Sequence, residues 1–584
     1  MKKFLSIVLF LICIVLTGFS QVGVNPSDSF YEQLKIWEIQ GIVKDLPPLR
    51  PYPSKVVKEI LVSVMNSEDM MAASKAQELY NHIFGKKINA DVSVDGKIKL
   101  SDFENAKQGL CLFGITGDLI FFDNISTSYD LKIASTLNHD SNILPIFSAL
   151  PFTFRDSTTI GSIENFLEMN GSVAFTSSKF YVQAGICNND FGSFYQDSIV
   201  LNANAQHTAN FTFVLNPGSW SYTHGLFVLG ASTNAGYNVY PNKFLMLHSI
   251  NVAIFDWLST SFYESLVYGD IFDLSYLIPM PFMIAQGITG FDDNLIMGVT
   301  FDVKPFADFI WSTNIFIDDI SLDDIFKFDF DTKIRGALQT GLQYSPKKLP
   351  FGSLFELDYT LVTPYMYTHK QNIYSPYDGS FVIGGSDAIN YQAYTNAGKP
   401  LGSQLAPNSD RISLSAKFEP ITNLQCNIFG NFIRHANVNE SLTVKEAIDY
   451  LNAPNGYFLT DGSIYNHPHV AYKEDGKIIY DYIDSAKNRL MFMSQDTKMY
   501  VVQTGVGLTY AFPKFKWGQV SVELGYVFEY IKNWGVQNNM FNGLSSDWQD
   551  SATEADVITS LENWKEQLID VINNYLSVSI KYQY

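Results

Sequence analysis

NYLSVSIKYQY, residues 574–584, alternates at every position. Leu576, Val578, Ile580, Tyr582 and Tyr584 fall on one face, and Tyr575, Ser577, Ser579, Lys581 and Gln583 on the other. Period two marks a strand with one apolar and one wet face. Such a face suits the core of a soluble sandwich and the lipid wall of a barrel equally well, so the rest of the chain must choose.

At the other end, Lys2 and Lys3 precede an uncharged run from Phe4 to Leu16, followed by TGFSQ. A basic start, an apolar stretch and small residues describe a secretory signal cut after Ser20, so residues 1–20 are expected to be a signal peptide. Cys13 lies inside the apolar run behind Ile12, which does not fit a lipoprotein site. An uncleaved anchor is the other reading of this segment.

Composition narrows the destination. Phe, Tyr and Trp make up 15% of the 584 residues and charged residues only 17%, yet beyond the signal no uncharged run reaches the length of a membrane-spanning helix. An outer-membrane β-barrel has this profile, because its lipid face takes apolar residues only at alternate positions. A secreted sandwich or adhesin is the alternative. The formal charge of −20 argues against nucleic acid as a partner. Cys111, Cys187 and Cys426 form no CxxC pair, which supports neither a zinc site nor a disulfide framework.

Residues 21–86 read differently from the remainder. Phe30, Leu34, Trp37 and Ile42 have helical spacing between a Ser27 or Asp28 cap and a Gly41 stop. Ser54 is placed to cap a second helix carrying Val57, Ile60, Leu61 and Val64, and a third is expected over 67–84. These helices form a small periplasmic region before the barrel, residues 87–584. Strands of ~9–11 residues cross a bilayer tilted, so the barrel segment holds about 16 to 20 of them. With both termini on the periplasmic side, 346–352, 419–423 and 512–518 become short turns there. The segments 368–409, 437–497 and 534–573 become long outer loops, two of them helical: Val444 to Leu451, and the run through Ile558, Leu561, Trp564, Leu568 and Val571. A barrel capped by its own loops is not an open pore.

Several stretches resemble the Wzi-like capsule-assembly outer-membrane family. FYEQLKIWEIQGIV with LPPLRPYPSKVVKEIL is similar to its helical region. Tyr263, Glu264, Tyr268, Gly269, Tyr276, Leu277 and Pro279 fall on a barrel motif, FIDDI with IRGALQTGLQY fits the next region, and FELDYTLVTPYMYTHK with NYQAYTNAGKPLGSQLAPNSDRISL matches most closely. The loops 437–497 and 534–573 match nothing in the pattern, and YLIPMP is more apolar than it. The resemblance implies a transmembrane antiparallel β-barrel of about 18 strands with a lectin-like role at the cell surface. Surface polysaccharide, outer-membrane lipid and, through the C-terminal strand, the barrel-assembly machinery are the expected partners.

Sugars present C–H faces and many hydroxyls, so their sites pair aromatic rings with carboxylates and amides. The loop 365–408 offers Tyr365, Tyr367, His369, Tyr374, Tyr391 and Tyr394 together with Asp378 and Asn390. Ordinary loop packing and the aromatic girdle compete for the same tyrosines. Asp318, Asp319, Asp323, Asp324, Asp329 and Asp331 lack EF-hand spacing and read as a solvated acidic turn, and His467 with His469 has no evident third ligand. No metal or cofactor is expected. Neither G-x-S-x-G nor H-E-x-x-H occurs, so an enzyme is not expected. A porin or transporter remains the competing function, and it requires an open lumen.

Overall fold

The computed structural model describes residues 22–584 except 86–88, 139–142, 149–156, 234–237, 280–282, 288–292, 321–325, 328–333, 348–351, 370–372, 375–380, 383–388, 452–461, 463–471, 475–476, 480–489, 517 and 542–551. Eighteen antiparallel strands close into one barrel, each paired with its sequence neighbour and the last with the first. They are β1 Asn89–Ser101, β2 Ala106–Phe121, β3 Ile125–Leu137, β4 Ile163–Thr176, β5 Phe180–Cys187 and β6 Thr208–Leu215. The ring continues with β7 Trp220–Thr233, β8 Asn238–Phe255, β9 Leu258–Gly269, β10 Asn294–Val303, β11 Phe309–Ile320 and β12 Ile334–Tyr344. It ends with β13 Leu354–Val362, β14 Ser409–Ile421, β15 Leu424–Ala436, β16 Lys498–Ala511, β17 Gln519–Trp534 and β18 Ile569–Gln583. Closure leaves no unpaired edge, which is what a sheet needs in hydrocarbon.

The terminal alternation maps onto the two walls. Leu576, Val578 and Ile580 of β18 point outward and are about half exposed, as are Val94, Ile98 and Leu100 of neighbouring β1. Inward positions make polar contacts: Asn573 Nδ2 and Tyr575 Oη both donate to Glu529 Oε1 at 2.8 Å, and Lys581 Nζ lies 3.2 Å from Asp91 Oδ2. The seam is sealed by backbone too, with Tyr584 N donating to Ala90 O at 2.9 Å. Exposed Phe121, Trp220, Phe255, Trp257, Phe306 and Phe512 rim one end, the place of an aromatic girdle.

At that end every connection is short, the longest being 345–353, and the expected turns 346–352, 419–423 and 512–518 all lie there. The other end carries the loops 363–408, 437–497 and 535–568, together with 188–207 and 270–293. Helices α4 (Val444–Leu451) and α5 (Glu554–Glu566) sit in two of these loops. A full capping box of Thr553 and Asp556 starts α5, and Val557, Trp564 and Ala447 pack into the interior core, so the expected cap is present. It is shorter than its spacing implied, since α5 ends at Glu566, Leu568 lies past it and Val571 already belongs to β18.

Three helices precede the barrel at the short-turn end: α1 Ser29–Ile39, α2 Ser54–Met65 and α3 Met70–Phe84. Asp28 Oδ1 accepts from Phe30 N at 2.9 Å and starts α1. Fully enclosed Phe30, Leu34, Trp37, Val57, Leu61 and Ala76 bind the three together, at about 1.5–3 kcal/mol for each large side chain. Two expectations shift here. Ser54 is not a cap: its Oγ donates to Asp118 Oδ1 of β2 at 2.5 Å and so fastens α2 to the barrel wall. The third helix starts at Met70 because Asp69 Oδ1 takes the free amides of Met71 and Ala72 at 3.1 and 3.0 Å.

Candidate functional site

Two segments from the loop end and one from the helical end meet inside the barrel. Loop 188–207 descends from β5, and its Asp190–Phe191 forms a two-residue antiparallel pair with Leu49–Arg50, which rises from the helices. Arg50 Nη2 lies 2.8 Å from Asp190 Oδ2, donates to Gly192 O at 2.5 Å, and its guanidinium stacks 3.7 Å from the Tyr195 ring centre. Burial disfavours the Arg50 charge, but Asp190 and Tyr195 outweigh it and raise its pKa. Arg411 of β14 pairs with Asp197, and Lys35 of α1 with Glu356 of β13, so wall charges hold both segments.

Loop 363–408 folds down onto loop 188–207. Tyr367 Oη donates to Ile199 O at 2.7 Å, and Asn202 N donates to Leu401 O at 2.9 Å. The backbones approach so closely at Gly402 that a Cβ there would overlap the Ile199 carbonyl oxygen. Tyr365 and Tyr367 both adopt positive φ, 62° and 70°. That backbone is costly for a bulky residue and persists only where the surroundings hold it.

The structure places the expected glycan residues in three groups. Tyr365, Tyr367 and Tyr394 are interior, at 6%, 0% and 0% exposure, so their ring faces are already occupied. Tyr367 stacks on Tyr394 at 5.8 Å, Tyr394 meets Phe316 edge-on at 5.4 Å, and Phe316, Tyr263 and Phe191 continue the ladder across the lumen. Burial raises the pKa of both Tyr367 and Tyr394. His369, Asn390 and Tyr391 lie together near the loop end. His369 Nδ1 is 3.1 Å from Gln392 Oε1, and Asn390 Nδ2 donates to His369 O at 2.9 Å. The Tyr391 ring is half-buried over Gly269, where a Cβ would collide with it. Tyr374 sits in a two-residue hairpin pairing Ile373–Tyr374 with Phe381–Val382. Asp378 lies outside the described residues, as do Asp323, Asp324, Asp329, Asp331, His467 and His469.

Several residues that fill the lumen escaped sequence reasoning. Asp190, Tyr195 and Asp197 carry no motif, and nothing in LPPLRPYP marks Arg50 as their partner; the available signal was that the segment 188–207, NNDFGSFYQDSIVLNANAQH, has apolar IVL and few charges where a solvated loop is polar. A Ser409 Oγ to His435 Nδ1 contact of 2.8 Å is present, but both residues are 0% exposed, and it reads as a wall-to-wall tie. Among the described residues no three His, Cys, Asp or Glu side chains group as metal ligands.

A closed 18-strand antiparallel barrel with an apolar outer wall, a girdle, short turns at one end and long loops at the other defines the outer-membrane β-barrel class. Among solved structures, the chain is similar in fold to one described as Wzi, an outer membrane protein involved in group 1 capsule assembly in Escherichia coli and a carbohydrate-binding β-barrel. The TM-score is 0.51 at 11% identity, covering 97% of this chain and 99% of that one. Acinetobacter baumannii OccAB2 and Pseudomonas aeruginosa OprD align over 85% of this chain and 98% and 94% of theirs, at TM-scores of 0.40 and 0.38 and identities of 10% and 9%. No protein-family model and no curated protein matches the sequence.

Proposed function

We propose that the protein sits in the outer membrane and holds surface polysaccharide on its loop end. In this reading residues 1–20 direct export, the helical region 21–86 faces the periplasm, and the long loops face outward. The filled lumen carries the reading. Three segments of the chain meet in its interior and bury an aromatic ladder from Phe191 to Tyr367. A porin needs an aqueous path from end to end; the ladder fills one side of the lumen, and α4 and α5 pack over the other against Ile433, Val501, Ile531 and Val571, which speaks against the channel alternative. The comparison structure is a carbohydrate-binding barrel by its own description, which supports the choice of ligand class.

The roles of the placed residues in loop 363–408 divide by burial. Tyr365, Tyr367 and Tyr394 form the support, buried Asn390 holds the His369 carbonyl in place, and His369 and Tyr391 form the contact surface, to which we add Tyr374 and Asp378 on their residue type alone. A rigid aromatic base under a polar rim lowers the entropy lost when a flexible glycan docks. No catalytic step is assigned.

Polysaccharide retention on cells lacking the protein tests this. Loss of cell-associated polysaccharide, restored by the wild-type chain and not by a Tyr391→Ala, His369→Ala double variant, is the expected result. Unchanged retention in the deletion strain removes the function, and steady nanosiemens openings from the reconstituted barrel would return it to the porins.

A further inference from the structure

At the short-turn end, between α1, the 44–50 segment and the inner wall of β7 to β12, lies a cavity of about 300 Å³. It is separate from the loop-end surface: the buried ladder of Phe191, Tyr263 and Phe316 lies between them. We infer that this cavity is a second binding site, for a short neutral saccharide entering from the helical side.

The lining argues the ligand class. The barrel wall contributes the half-buried hydroxyl of Ser259 and amide of Asn251, backed by buried Ser261, Ser312 and Gln343, which bond to Asn251, Asp302 and the Ser193 carbonyl. Neutral donors and acceptors of this kind match sugar hydroxyls, each of which both donates and accepts. Charge excludes a strongly ionic ligand. Lys35, Lys44, Arg50 and Lys304 line the space, and so do Glu38, Asp45, Asp256 and Asp302, so four cations face four anions. Several of these are already committed: Lys35 to Glu356, Arg50 to Asp190, Glu38 to the Tyr195 hydroxyl. Asp302 accepts from Ser193 at 2.8 Å and from Ser312 at 2.6 Å. A ligand bringing net charge meets no surplus of the opposite sign.

The cavity also has apolar ground for C–H faces, in Leu46, Pro47, Pro48 and Ile310. Its size is at the low end for small-molecule sites, roughly one or two sugar rings. Its walls are set before any ligand arrives. Asn251 Oδ1 accepts from Ser261 Oγ at 2.8 Å, and Asp302 and Arg50 are held as described. Preorganised polar groups do not have to be ordered by the ligand, which favours binding by a small molecule with few contacts.

Saturation-transfer NMR on the full barrel in detergent, with maltose, cellobiose, lactose and chitobiose as probes, tests the site. At least one probe is expected to bind the wild type. Ser259→Trp, which fills the cavity, should weaken that probe at least tenfold, and Glu78→Ala on the exposed face of α3, away from both surfaces, should leave it unchanged. If Ser259→Trp fails to give a heat-modifiable folded barrel, Asn251→Ala serves, with an expected loss of about fivefold. Silence from all four probes on the wild type overturns the inference. So does binding that survives the folded cavity variant or that Tyr391→Ala abolishes; in the last case the loop-end surface alone binds sugar. Failure of the loop-end reading shows instead as unchanged polysaccharide retention on cells, which this experiment does not touch.

Discussion

The lumen has two sectors, and they differ in what the wall must do. From β7 to β13 the inward side chains include Phe227, Leu245, Leu247, Tyr263, Val267 and Phe316, all buried against the folded-in loops. From β14 round to β1 the inward Ile433, Val501, Ile531 and Val571 are buried beneath the cap at the loop end, but away from it none of Ser413, Gln425, Asn427, Glu523, Ser577 and Lys97 is buried. Each sector leaves its own mark on the sequence. Where the lumen is wet, strands alternate strictly, as NYLSVSIKYQY does. Where it is filled, both faces are apolar and the alternation fades, as in KFLMLHSI of β8. Loss of period two inside a barrel strand is therefore a sign of a plug, by the same logic that makes strands of doubly covered sheets continuously apolar.

Substitutions can break this comparison. The largest effect is expected from Arg50→Ala, which leaves Asp190 enclosed without its cation. Breaking a buried pair costs about 3–5 kcal/mol, read as a lower denaturant midpoint of the folded barrel in detergent. A midpoint shift of less than a few tenths of a kcal/mol would show that the filled sector contributes nothing to stability. Next comes Leu576→Arg on the outer wall of the wet sector, expected to cost about 2–4 kcal/mol near the middle of the bilayer. An unaltered folding equilibrium in lipid vesicles would refute the assignment of that face to hydrocarbon. Gly402→Val forces loop 363–408 off Ile199 at a cost of about 1–3 kcal/mol; equal protease resistance of wild type and variant loops would contradict the close crossing. The smallest effect belongs to Ser577→Ala, within about 0.5 kcal/mol. The matching Ser577→Cys should react with a water-soluble maleimide in the folded barrel, and Val267→Cys should not. The reverse labelling pattern would interchange the two sectors.

These contrasts also explain what was legible in the amino acids. Strand period, turn chemistry and helix spacing are local, and they placed the barrel, its two unequal ends and the helices α4 and α5. The three N-terminal helices were visible for the same reason, with errors only at caps, where Ser54 serves the wall and Asp69 serves α3. The partners of the plug were not legible, since Arg50 and Asp190 stand 140 residues apart and meet only because the barrel encloses both. Loop tyrosines posed the opposite problem. Tyr367 and Tyr391 each sit near another tyrosine and polar residues, but one stacks on Tyr394 in the interior and the other lies half-buried over Gly269. Aromatic content marks a loop that packs, and it does not say which rings remain free.

The pairing of Leu49–Arg50 with Asp190–Phe191 has a mechanical meaning. A strand from one mouth is stitched to a strand from the other, so tension on the helices passes straight to the loop tips. Anything that pulls on the helical end of the protein tugs the loop end as well, and the barrel acts as a sleeve around a tether.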